Sequence, residues 1–551
     1  MARLRGPQRL VVEVEEDRPA DLAKAREQLR LLRPRLTGLP IPGLRRLEHP
    51  QVLSLALLDA SKRVTPGAGR EWDFASELVD RASGRHYRLF GPLHAPEQAR
   101  LESTRVPAPP RPEELAAAME ALSKHPQIGK GMKAGKLTVV AGMPGARIVR
   151  HGDGRRSRVI TMAVRGELGD GGVSRIVDVD TRTGAVVGSG PAAPSVECGV
   201  PDDGGSGDGS TGGQVRVTVR QGAEVLWTMV VIRPAAHEAD GGVGLSVRQV
   251  DYRGRRVLFR GDTPIVNVKY DRRNQSGAVT YRDWLYEEAP FRAAGTDVIP
   301  GYRLCQVAPK TLFDVNARGK ARAGGGFTGV TVHWDGTTLV LTTLMAAGWY
   351  RYRAEWRFAA DGTITPTFGF NAVTNENTCY PHTHHCYWRL DFDIETAAGN
   401  SVERRITHVE APHFDLADVH TVQQRLGALS TQWVAVKKER RMIHGPLSAW
   451  RVSNEKTGRG YTIYPGLRDG AAEPGFGVGD VWAVRYRQSE DKDAGGTGDR
   501  AHLDPYVNDE SITRTDVVLW YAAHGRHDQH EDDLHGLHGH VVGPKLVPHN
   551  W

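Results

Sequence analysis

Histidine is dense in one short stretch, Cys379-Tyr-Pro-His382-Thr-His384-His385-Cys386, followed at once by Trp388-Arg-Leu-Asp391-Phe392-Asp393. Residues two apart in a strand point to the same side, so His382 and His384 can share one metal ion. Imidazole suits copper, zinc and iron alike, so two histidines do not choose the metal. A bare His-x-His is more often surface chemistry or chance. Cys379 and Cys386 fit neither Cys-x-x-Cys nor a zinc-finger spacing, which argues against a zinc site there. A second signal lies far downstream, in Asp516-Val-Val-Leu-Trp520-Tyr521-Ala-Ala-His524-Gly-Arg-His527. Val517–Tyr521 reads as a buried strand, and His527 lies just past its end, where a loop can turn a ligand inward. Spacing alone favours a different reading, a solvated histidine-rich tail made of His524, His527, His530, His535, His538 and His540. Such a tail can sequester copper or nickel by composition. His530-Glu531 to His535 is one residue too long for the metalloprotease His-Glu-x-x-His.

These residues need a framework. At 551 residues the chain is too long for one ordinary domain, and about two to four domains are expected. With 39% hydrophobic and 25% charged residues it has the balance of a globular protein. No apolar run approaches a membrane span. The first residues lack the apolar core of a signal peptide, so the chain reads as cytoplasmic. The net charge of +7 is spread among acids with no nucleic-acid module, which speaks for a mixed solvated surface. Four cysteines do not make a disulfide scaffold.

Residues 1–105 open with a short alternating strand and a helix near Asp21–Leu32, stopped by Pro34, and form a small α+β domain. After a proline-rich break, a helix over Glu113–Leu122 and strands near Leu137–Ala141, Arg158–Val164 and Arg175–Val179 make a second small α+β unit over 110–190. Residues 191–213 belong to a Gly-rich linker that cannot bury a core. From 214 to 551 the pattern is strands. Asp335-Gly336 and Asp361-Gly362 sit between alternating runs, the strongest short hairpin signal. The whole reads as mainly β, with one large antiparallel β-sandwich.

The run of His-x-His, four residues, then Arg389-Leu-Asp391 resembles the two-histidine copper motif of the copper amine oxidase family. The family's third ligand is a histidine seven residues after the tryptophan of a Val-Val-Leu-Trp-like strand, which from Trp520 is His527. Asp251-Tyr-Arg-Gly-Arg-Arg-Val-Leu-Phe-Arg260, Trp450-Arg-Val-Ser-Asn, Gly460-Tyr461 through Tyr464-Pro-Gly466 and Trp482-Ala-Val-Arg-Tyr486 resemble other segments of the family, in order. The resemblance covers roughly residues 245–530. It implies a homodimer with one copper on His382, His384 and His527. It also implies a second, structural cation, calcium or similar, held by Asp391, Asp393, Asp516 and the Phe392 carbonyl. Three converging carboxylates repel, and a hard cation resolves that. Without the family pattern, solvent-facing acids on strands explain them equally well.

The family oxidises one tyrosine beside its copper to topaquinone, using copper and dioxygen. The quinone condenses with a primary amine, an aspartate removes the α-proton, and aldehyde, ammonia and hydrogen peroxide leave. Counting back from Glu355-Trp-Arg-Phe358 and Asp361-Gly-Thr-Ile364 puts Tyr350 at the precursor position, with Tyr352 a same-face neighbour. The flanking residues depart from the family, with Trp349 in place of asparagine and Arg351 in place of an acid. In Tyr281-Arg-Asp-Trp-Leu-Tyr-Glu287, Glu287 falls on the catalytic aspartate, a base on a longer arm; Asp283 is a lesser candidate. Tyr270 matches the tyrosine that hydrogen-bonds the quinone oxygen. Cys305 has no evident partner for the family's disulfide. Two alternatives stay open: copper and dioxygen oxidising a specialised metabolite with Tyr350 unmodified, or a non-catalytic copper-binding homologue.

Overall fold

The computed structural model describes the chain except residues 1, 6–9, 20, 60–61, 63–71, 105–107, 109, 153, 168–171, 190–211, 237–243, 271–278, 283–286, 312–324, 348–349, 373–380, 410–428, 444–446, 471–479, 493–502 and 528–539. Alternation of apolar and polar residues gives strands with one wet and one dry face, and two such faces closing on each other form a sandwich. Tyr350–Ala359 shows the rule well: Tyr350, Tyr352, Ala354, Trp356 and Phe358 are buried, while Arg351, Arg353, Glu355 and Arg357 lie on the other side.

Among the described residues, two large sheets build the sandwich. One has 11 strands and centres on Arg255–Tyr270, His382–Phe392, Val517–His527 and Val481–Arg485. The other has 13 strands and runs from Gly295–Ile299 through Thr338–Ala347, Tyr350–Ala359 and Ile364–Ala372 to Asn400–Val409 and Leu429–Val436. Their inner faces share one core, including Trp227, Trp356, Trp388, Phe368, Phe370 and Tyr521. Each large side chain buried there contributes roughly 1.5–3 kcal/mol. Both expected hairpins form. At Asp361-Gly362 the Asp361 carboxylate accepts the Thr363 N–H at 2.9 Å. Gly362 has φ +91, and a Cβ there would lie 2.6 Å from the Tyr252 ring, so only glycine fits.

Two smaller four-stranded sheets precede the sandwich. Leu137–Arg150, Arg156–Glu167, Gly172–Asp180 and Val186–Ser189 carry the helix Pro112–Lys124, and contain the expected strands and helix. Pro50–Asp59, Trp72–Asp80, Arg85–Pro92 and Arg100–Thr104 pack with the helix Leu22–Leu32. Residue patterning in this region marks only a leading strand and the helix. Trp72–Asp80 is buried along its whole length, acids included, so it shows no alternation to detect. The leading strands Ala2–Arg5 and Leu10–Glu16 do not join this small sheet. Leu10–Glu16 pairs with Val215–Gln221 and extends the sandwich. Among the described residues no helix is long and apolar enough to cross a membrane.

The two small units meet at His86 and Arg158. Burial, with the Arg158 guanidinium nearby, pushes the His86 imidazole down to about 3. Unfolded, the same ring titrates near 6.5. Between about 6.5 and 3 the unfolded chain therefore takes up a proton that the folded chain refuses, so stability is complete above this window and falls as the pH drops through it. The loss is at most about 1.4 kcal/mol per pH unit. Thermal melts at neutral pH and near pH 4.5 should show a smaller acid penalty in His86→Phe than in the wild type; parallel losses would clear His86 of the effect.

Candidate metal centre

The His382–Phe392 strand is buried from end to end and is flanked on both sides in its sheet. Its inward phase carries His382 and His384, its outward phase Thr383 and His385. Val517–His527 pairs with it antiparallel, setting His382 opposite His527 and His384 opposite Gly525. The strand thus runs on through His527, where the sequence reading placed a loop. Gly525 matters because a Cβ there would stand 2.7 Å from the Phe370 ring. Without it, Phe370 from the opposite sheet slides in and stacks on His384, ring centres 4.2 Å apart.

The three histidines predicted as ligands come together. One ligand nitrogen from each of His382, His384 and His527 lies within 4.8 Å of the others, all buried. His382 Nε2 and His527 Nδ1 are 3.2 Å apart. Tyr350 reaches across the sandwich from the facing sheet, and its hydroxyl lies against His382 Nε2 and 3.0 Å from His527 Nδ1. Tyr352 stacks on Tyr350 and brings its own hydroxyl within 3.3 Å of His384 Nδ1. Burial, reinforced by His382 and His527, holds the His384 imidazole well below the ordinary histidine range. The ring is therefore neutral, with a lone pair to give. His384 Nε2 is buried with no hydrogen-bond partner. An orphaned imidazole nitrogen in a dry core is costly, and a borderline-soft cation is the partner such a nitrogen takes. The donor set fits copper.

Other expected residues are partly described. Tyr270 ends its strand opposite His382 in register. Glu287 pairs through its backbone with Ala346, beside the Ala347–Tyr350 pair. Asp283, Trp349 and Cys379 lie outside the described residues. Cys305 and Cys386 are both fully buried. Asp391, Asp393 and Asp516 converge, each offering an oxygen within 4.8 Å of the others, and the Phe392 side chain between the first two points into the core. Lys62 Nζ stands among these three carboxylates.

Three features escaped the sequence reading. His540 does not belong to a solvated tail: His540–Val542 pairs with Phe368–Phe370, and the His540 ring lies 5.0 Å from that of His527. On the outward side of the same strands, His385 Nδ1 and His524 Nδ1 are 2.7 Å apart, and His524 Nε2 lies 2.9 Å from Asp480. Lys62 is the third. Only the phase of His385 relative to His384 hinted at the second histidine pair.

No protein-family model and no curated protein sequence matches the chain. Solved structures do. A copper-containing benzylamine oxidase from Hansenula polymorpha superposes with a TM-score of 0.62 at 12% identity, covering 97% of both chains. A lysyl oxidase from Pichia pastoris gives 0.57 at 12% identity, with 96% of this chain and 89% of that one covered. An amine oxidase from Aspergillus nidulans gives 0.54 at 14% identity, over 100% and 89%. At these identities the likeness establishes a shared fold, the amine-oxidase β-sandwich, in a chain of widely diverged sequence. For the metal centre, His384→Ala is expected to weaken copper binding by at least about 100-fold, since even supporting residues of metal sites cost 10–100-fold. Competition titration against a copper chelator checks this, and undiminished affinity would move the site elsewhere.

Proposed function

We propose that this protein is a copper-dependent oxidase of primary amines, converting them to aldehydes with release of ammonia and hydrogen peroxide through a topaquinone made from Tyr350. The observation that carries this reading is the buried Tyr350 hydroxyl set between His382 Nε2 and His527 Nδ1. Copper bound there supplies one-electron exchange with dioxygen, and a quinone at Tyr350 supplies the electrophilic carbonyl that an amine condenses with. The chain's own residues do the rest. His382 and His527 lie within reach of the phenolic proton. Phe370 and Tyr352 wall the centre against water, which strengthens every electrostatic interaction inside it. Glu287, in the strand beside Ala346, is the base for the α-proton. Tyr270, opposite His382 in register, orients the ring. A homodimer completes the expectation drawn from the family.

One observation favours a second reading, copper- and dioxygen-dependent oxidation of another metabolite with Tyr350 unmodified. Cofactor formation needs a mobile ring, yet Tyr350 is fully buried, lies parallel to Tyr352, and has its carbonyl bonded by Arg351 Nη1 at 3.0 Å. Copper added to anaerobically purified apoprotein, followed by air, separates the readings. The expected result is a visible quinone band and a positive redox-cycling stain, both lost in Tyr350→Phe with copper content unchanged. Peroxide formation on assorted primary amines should follow the colour. A colourless but active wild type supports the second reading, and a colourless protein inert toward every substrate tried leaves only copper binding.

A further inference from the structure

Asp391, Asp393 and Asp516 gather at the far end of the two strands that carry the three histidines. Asp391 and Asp393 close the His382–Phe392 strand, and Asp516 immediately precedes Val517–His527. A calcium ion in such a place takes six to eight oxygens at about 2.3–2.6 Å. What stands there is an ammonium group. The side chain of Lys62, which lies between Pro50–Asp59 and Trp72–Asp80 in the chain, is 3% exposed. Its Nζ contacts Asp391 Oδ1, lies 2.6 Å from Asp516 Oδ1 and 2.9 Å from Asp393 Oδ1.

We propose that Lys62 is a built-in cation: its ammonium occupies the place of a divalent ion among Asp391, Asp393 and Asp516, and fastens both histidine-bearing strands to the first small unit. The surroundings suit an organic cation better than a metal. The Tyr486 ring centre lies 4.1 Å from Nζ and that of Phe259 5.3 Å, and aromatic faces attract an ammonium while offering calcium no oxygen. The second oxygen of Asp391 faces Arg389 Nη1 at 3.4 Å, so one carboxylate is already shared between two cations. Burial pushes Asp393 and Asp516 up. Lys62 and Arg389 together set two cationic side chains against the three carboxylates. The three carboxylates in turn outweigh burial and hold Lys62 protonated above the ordinary lysine range. Two further ion pairs cross this junction, Arg88 with Asp491 and, with the charges reversed, Lys492 with Glu77.

Elemental analysis of the purified holoprotein and calcium titration of its melting temperature test this without reference to amine turnover. The wild type is expected to carry no stoichiometric divalent metal besides copper, and its melting temperature should not respond to calcium chloride. Lys62→Ala should melt about 5–10 °C lower, as expected when a buried ion pair loses one partner, and calcium chloride should restore part of the loss by entering the vacated cluster. A stoichiometric second divalent ion in the wild type, a calcium-raised wild-type melting temperature, an unchanged Lys62→Ala, or a loss that calcium does not mend would each overturn the proposal. Should Lys62→Ala fail to fold, the wild-type measurements decide alone.

Discussion

Everything chemical in this protein hangs on the register between two neighbouring strands, His382–Phe392 and Val517–His527. Their pairing sets His382 opposite His527 on the inner face and His385 opposite His524 on the outer face. Because side chains alternate with period two, a slip of one residue would turn His527 out of the core and bring its neighbour in. The register is strongly specified by what surrounds it. Trp388, Leu390 and Phe392 on one strand, and Val517, Leu519 and Tyr521 on the other, all point into the common core. A slip would expose them together, at roughly 1.5–3 kcal/mol for each large side chain.

The opposite sheet completes the centre. Tyr350 opens its strand and faces inward with Tyr352, and the closing of two sheets brings its hydroxyl to the imidazoles. Burying three imidazoles and two phenols in a dry core is costly unless they find partners. Most of them do, through one another, but His384 Nε2 does not. This is one point at which the fold departs from an apolar interior, and such violations collect at functional sites. Filling the centre with a metal ion would convert that local cost into folding free energy, because binding to a site absent from the unfolded chain stabilises the folded one.

The same two strands have a second polar end. Their histidine ends lie within the sandwich, and the aspartates lie at the other end, with Asp391 about 23 Å from His384, seven residues of strand at about 3.3 Å each. There Lys62 reaches in from a different part of the chain. Electrostatic pairing at one end and imidazole clustering at the other thus brace one pair of strands.

Much of this was legible in the residues themselves. The alternation of Tyr350–Ala359 announced a half-buried strand, Asp335-Gly336 and Asp361-Gly362 announced the hairpins, and His-x-His announced two ligands on one face, because each signal is local and follows from the period of a strand. The pairing of His527 with His382 was reachable only through the family pattern, since spacing alone favoured a tail. Trp72–Asp80 escaped because burial on every side erases alternation. His540, the His385–His524–Asp480 row and the Lys62 ammonium were settled by tertiary structure alone. Each joins segments far apart in the chain, and what brings them together is the pairing of strands and the docking of units, interactions that leave no periodic trace in either segment by itself.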